Sequence, residues 1–136
     1  MKSLTVYETM RYFATLKKIP KSNQDKEIRY CIDLVKLSDK IKNKVGSLSG
    51  GMVRRLGIAL AIMGNPEIVL FDEPTAGLDP EERVRFKSLL RKIKNDKTII
   101  ISTHIVSDVK SICDEIVIIN EGRNVVQGSC SDISSI

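Results

Sequence analysis

The feature that most constrains this chain is a change of hydrophobic period at residue 66. Before it, apolar residues recur at three- and four-residue spacing; after Gly64-Asn65-Pro66, the run Ile68-Val69-Leu70-Phe71 is continuously apolar and β-branched, then ends in Asp72-Glu73-Pro74. A short uninterrupted apolar run reads as a strand buried on both faces of a parallel sheet. Thr98-Ile99-Ile100-Ile101 and Ile116-Val117-Ile118-Ile119 are two more such runs, set apart by helical stretches near 80–94 and 105–113. That alternation predicts βαβ crossovers and a parallel sheet. Asn120-Glu121-Gly122-Arg123 then predicts a turn into a small hairpin at 124–127.

The first half is helical. Val6, Met10, Phe13, Ala14 and Leu16 predict an amphipathic helix from about residue 5 to 18, closed by Pro20. Ile28, Cys31, Ile32 and Val35 place a second over about 23–36, and residues 37–47 read as a basic connection. A third starts at the cap Ser49 and stops at Gly64-Asn65-Pro66. The longest apolar run, 56–64, falls well short of the ~18 residues needed to cross a bilayer. Any membrane role would therefore pass through a partner, and the N-terminus lacks the apolar stretch of a signal peptide. Three scattered cysteines argue against a disulfide framework or a zinc site, and a cytoplasmic location is expected. Charge is uneven: residues 1–63 carry 13 basic and 5 acidic side chains, residues 64–136 carry 9 and 12. A basic half suits a solvated helical surface, an anionic membrane, an acidic partner or nucleic acid.

Four segments could carry chemistry. Ligands of open α/β sheets bind at the carboxyl ends of strands, where Asp72 and Glu73 would stand. Asp72 suits Mg²⁺, and Glu73 suits orienting or deprotonating a water; Pro74 should hold Glu73 extended. The alternative is a plain strand exit with solvated acids. Leu48-Ser49-Gly50-Gly51 opens a helix whose free amides and dipole could hold a phosphate, though taken alone an ordinary serine cap explains it better. Asp79-Pro80-Glu81-Glu82 reads as a helix start with Asp79 as cap and Glu82 closing a capping box. His104, the single histidine, follows the strand at 98–101 and could donate to a terminal phosphate or be a plain polar residue.

In order and spacing, Leu48-Ser49-Gly50-Gly51, Asp72-Glu73-Pro74-Thr75, Ala76-Gly77-Leu78-Asp79 and Ser102-Thr103-His104 resemble the ABC ATPase family, and Leu4-Thr5-Val6-Tyr7-Glu8 resembles the start of its helical subdomain. Met52-Val53-Arg54-Arg55 departs from the commonest signature and is similar to the form in drug and antibiotic exporters. The resemblance implies an α/β, P-loop NTPase-like ABC ATPase core, incomplete, with a helical subdomain at the N-terminus and parallel strands plus a C-terminal hairpin. It implies residues 1–65 as helical subdomain with signature, and 66–136 as the part of the core bearing the acidic pair, D-loop and switch histidine. It further implies that Ser49, Gly50 and Gly51 grip the γ-phosphate of ATP held by an opposite protomer. By the same resemblance, Asp72 serves Mg²⁺, Glu73 is the catalytic base, Asp79 lies in the D-loop of the dimer contact and His104 is the switch histidine. The implied partners are a transmembrane permease, a second ATP-binding domain and a half bearing the phosphate loop, with the chain peripheral on the inner membrane face.

No Gly-x-x-x-x-Gly-Lys-Ser/Thr occurs: Gly46 and Gly51 have the spacing but are followed by Met52-Val53. The expectations are therefore a chain inactive alone and a sheet cut where the phosphate-loop strand would lie, leaving an unpaired apolar edge. Two other functions fit the same residues, a non-catalytic remnant or regulatory module on a permease or intact ATPase subunit, and a chromosome or repair ATPase lobe on DNA. No long heptad arm precedes Ser49, and nucleic acid is not an expected partner.

Overall fold

A computed structural model describes residues 1–133. Helix α1 (Val6–Leu16) begins at Thr5, whose side chain accepts from the Glu8 N–H while the Glu8 carboxylate returns to the Thr5 N–H. This capping box satisfies two donors that a helix start leaves orphaned. Helix α2 (Lys21–Leu34) follows, and its Asp25 accepts from the Tyr7 hydroxyl of α1. Two short 3₁₀ turns, Ser38–Lys40 and Val45–Ser47, fill the connection to α3 (Gly50–Ile62), whose N-cap is Ser49 as the sequence predicts.

Two cations from neighbouring elements close these helices. Lys17 Nζ donates to the carbonyls of Leu60, Ala61 and Met63 at 2.7, 3.2 and 2.8 Å, at the end of α3. Arg55 Nη1 donates to Val35 and Lys36 at the end of α2, at 3.1 and 3.2 Å. Carbonyls without helical partners thus receive charged donors, which also suits the negative end of each helix dipole.

Strand β1 (Ile68–Asp72) pairs in parallel with β2 (Thr98–Ser102), with α4 (Pro80–Ile93) between them in sequence. Helix α5 (Val106–Ile112) then leads to β3 (Glu115–Asn120), β4 (Arg123–Ser129) and the terminal α6 (Cys130–Ile133). The third apolar run does not join the parallel sheet. β3 pairs antiparallel with β4 in a separate two-stranded sheet, joined by Glu121 and Gly122, both at positive φ. That two-residue turn is the kind whose twist matches a tight hairpin.

One buried apolar cluster runs through the helical half and α4, including Val6, Met10, Ile32, Leu56, Ile62 and Leu90. Phe71 of β1 meets Phe86 of α4 edge to face, with ring centres 5.9 Å apart. The opposite face of the parallel sheet is bare: Ile68 is 60%, Leu70 71% and Ile100 50% exposed. The expectation of strands buried on both faces fails here, because in these residues helices cover one face only. Burial pushes the Cys31 thiol up to about 12, which keeps it protonated and unreactive.

Candidate functional site

The carboxyl ends of β1 and β2 lie side by side because the two strands run parallel in register, Asp72 opposite Ser102. Each residue of Ser102-Thr103-His104 reaches back to the acidic pair. The Ser102 hydroxyl donates to Asp72, and the Ser102 carbonyl accepts from the Glu73 N–H at 2.9 Å. The Thr103 hydroxyl lies 3.2 Å from Glu73 Oε2, while the His104 N–H and Nδ1 lie 3.2 and 2.7 Å from Glu73 Oε1. Sequence-predicted Asp72, Glu73 and His104 are therefore one constellation. The His104 hydrogen bond, aided by Thr103, holds the Glu73 carboxyl below the usual carboxylate range against some desolvation. A carboxylate held ionised at neutral pH can accept a hydrogen bond from water and orient it. With Nδ1 engaged, Nε2 is the ring nitrogen left for a ligand.

Glu73 is not extended, contrary to the expectation from Pro74. Its φ is +43°, a left-handed conformation that non-glycine residues rarely adopt and that typically costs about 1–3 kcal/mol. Tertiary contacts override the local preference. The Glu73 N–H is tied to Ser102, its carbonyl accepts from Ala76 N–H at 3.2 Å, and Arg54 Nη1 of α3 donates to the carbonyls of Glu73 and Pro74 at 3.3 and 2.8 Å. The sequence marks Arg54 only as part of Met52-Val53-Arg54-Arg55, and nothing in that run distinguishes it from Arg55 as the residue that holds these carbonyls.

The second group is at the start of α3. Ser49 Oγ accepts from the Met52 N–H at 3.2 Å, and the N–H groups of Gly50 and Gly51 precede the first helical acceptor. Gly50 is exposed and an added Cβ would meet nothing within 4 Å, so this helix start faces solvent. Gly51 is different: a Cβ there would stand 3.0 Å from the end of the Glu82 side chain of α4, so a larger residue would have to displace that carboxylate. Glu82 in turn pairs with Arg85 at 3.0 Å and faces Arg55 at 3.7 Å. Its carboxylate is thus drawn to arginines and does not close the expected capping box; Asp79 alone caps α4, accepting from the Glu82 N–H at 2.8 Å. Arg55 Nε is buried with no hydrogen-bond partner among the described residues.

The Ser49-Gly50-Gly51 group and the Glu73-His104 group do not touch directly; Arg54, one turn into α3, is the link. A third cluster braces the loop after β1. The buried Asp108 of α5 accepts from Thr75 Oγ1 at 2.5 Å and from Lys87 Nζ at 3.0 Å. Burial pushes the Asp108 carboxyl up, and the two donors outweigh it to leave it below its ordinary value.

The donor set limits which metal would fit. Among the described residues no group of three or more His, Cys, Asp or Glu side chains is gathered to hold an ion. Asp72 offers one exposed carboxylate beside a hydroxyl, which suits a hard ion such as Mg²⁺ that takes its remaining ligands from phosphate and water.

Residues 1–76 match the family model described as ABC transporter. The chain is 39% identical over 132 residues to an ABC transporter A family member 1 of Dictyostelium discoideum, covering 97% of this chain and 15% of that protein. It is 41% identical over 106 residues to a Nod factor export ATP-binding protein I of Burkholderia lata, covering 75% of this chain and 34% of the relative. Among solved structures, cbiO1 of Clostridium perfringens, part of the ABC transporter complex cbiONQ, superposes with a TM-score of 0.87 at 30% identity, over 98% of this chain and 54% of that one. The chain thus spans little more than half of that structure and well under half of these two relatives.

Proposed function

The chain belongs to the ABC transporter family and has the fold of its ATP-binding domain, and from that premise we propose that these 136 residues are the signature-and-base portion of an ATP-binding subunit that powers transport through a permease. The observation that carries the reading is the Glu73–His104 contact, which sets an ionised carboxylate and a free imidazole nitrogen at the mouth of β1 and β2. ATP with Mg²⁺ supplies the phosphate to be cleaved, and Asp72 is the residue to face the ion. Glu73 orients the attacking water, and His104 Nε2 faces the terminal phosphate. Residues 1–65 serve as helical subdomain and 66–136 as part of the core, with Asp79 in the loop between protomers.

Ser49, Gly50 and Gly51 stand at the start of α3, and the family's signature supports a role for them in trans on nucleotide held by a second ATP-binding domain. Since no phosphate loop lies within these residues, the 136-residue chain turns over no ATP alone and needs a segment that carries one. It has no helix among the described residues long and apolar enough to cross a membrane, so coupling to transport passes through a permease. Met52-Val53-Arg54-Arg55 favours an exporter.

The signature role is tested by light scattering of the chain mixed with a phosphate-loop-bearing segment, with and without Mg-ATP. ATP should drive association of the wild type. Gly50→Glu, whose Cβ meets nothing within 4 Å and whose charge favours the helix dipole, should abolish it by repelling phosphate. Association that ignores ATP, or survives Gly50→Glu, rules this role out.

A further inference from the structure

Between the end of α2, the face of α3 and α4 lies a cavity of about 260 Å³ that no role above uses. Its floor is apolar, formed by Ile58, Leu78, Phe86 and Leu89. Its charged lining is one-sided: Lys36, Arg54, Arg55, Arg85 and Lys92 against the single carboxylate of Glu82. Only Arg55 and Arg85 of these cations have an ion-pair partner among the described residues, and for both it includes Glu82. Lys36, Arg54 and Lys92 are exposed and face no carboxylate among the described residues. A cavity with an apolar floor and an excess of unpaired cations is complementary to a small molecule with an apolar body and one anionic head.

We propose that this cavity binds a short amphiphilic anion, its apolar body on Ile58 and Phe86 and its head toward Lys36, Arg54 and Lys92. At ~30 Å³ per water-sized group the space holds roughly eight or nine non-hydrogen atoms, enough for the eight carbons of octanoate with its two carboxylate oxygens outside among the exposed cations. An occupant would touch Arg54, whose guanidinium holds the Glu73 and Pro74 carbonyls, and Glu82, which packs on Gly51. Binding there bears on both groups of the site from one place. The binding itself does not rest on the transport reading and is measured on the chain as it stands.

The test is titration of the ¹⁵N-labelled chain with sodium octanoate, followed by amide shifts, with 1-octanol and inorganic phosphate as controls. Octanoate should saturate with shifts centred on Ile58, Leu78 and Leu89, and removing either head or tail should weaken binding about tenfold or more. Lys36→Gln with Lys92→Gln, both at exposed positions, should weaken octanoate about fivefold while leaving the rest of the spectrum unchanged. Octanol binding as tightly as octanoate, shifts centred on the bare sheet face at Ile68, Leu70 and Ile100, or indifference to the double variant would each overturn the proposal.

Discussion

Glu73 is where local rules and tertiary structure disagree. Its place at a strand's carboxyl end was legible from the apolar run before it; its left-handed backbone was not, because the forces that set it come from Ser102 and Arg54, 29 positions ahead and 19 behind. The hydrogen bond from His104 yields a direct expectation. His104→Ala should raise the Glu73 carboxyl titration toward the ordinary range, read by ¹³C NMR of the side-chain carboxyl; an unmoved titration would mean the contact is not formed in solution. Asp108 gives a stability expectation. Its folded pKa is depressed, so its contribution is present above the unfolded value and is lost as pH falls through the folded one, in the acid range below about pH 4. Asp108→Asn should cost about 1.5–3 kcal/mol at pH 7 in urea unfolding, since the lost hydrogen bonds are to a charged, buried group. That difference should shrink as the pH is lowered past about 4.

At the scale of elements, the helices were legible because period and caps agree: Ser49 and Asp79 cap the helices that the sequence assigned to them. What sequence could not distinguish is which acid three residues on closes a box. Thr5–Glu8 closes one, whereas Glu82 is claimed by Arg55 and Arg85. Thr5→Ala should therefore cost about 1–2 kcal/mol by chemical denaturation. Glu82→Gln should act through the α3–α4 contact rather than through the cap of α4. The β3–β4 hairpin was legible from the turn residues Asn120-Glu121-Gly122-Arg123, whereas the continuous apolarity of residues 116–119, which predicts a strand of the parallel sheet, says nothing of partner or direction.

For the molecule as a whole, two separate two-stranded sheets leave Ile68, Leu70 and Ile100 bare. An exposed apolar face of this kind favours self-association. Leu70→Lys should delay concentration-dependent association in light scattering without lowering the unfolding midpoint by much, since the side chain is already in water. In the proposed function the chain alone is chemically incomplete. Steady-state phosphate release by the chain alone, by a phosphate-loop-bearing segment alone and by the two together, with the chain carrying either Glu73 or Glu73→Gln, measures this most directly. Neither piece should turn over ATP alone, the mixture should, and Glu73→Gln should lower its rate about 10²-fold or more. Saturable turnover by the 136-residue chain alone, or a mixture indifferent to Glu73→Gln, would contradict the proposed function.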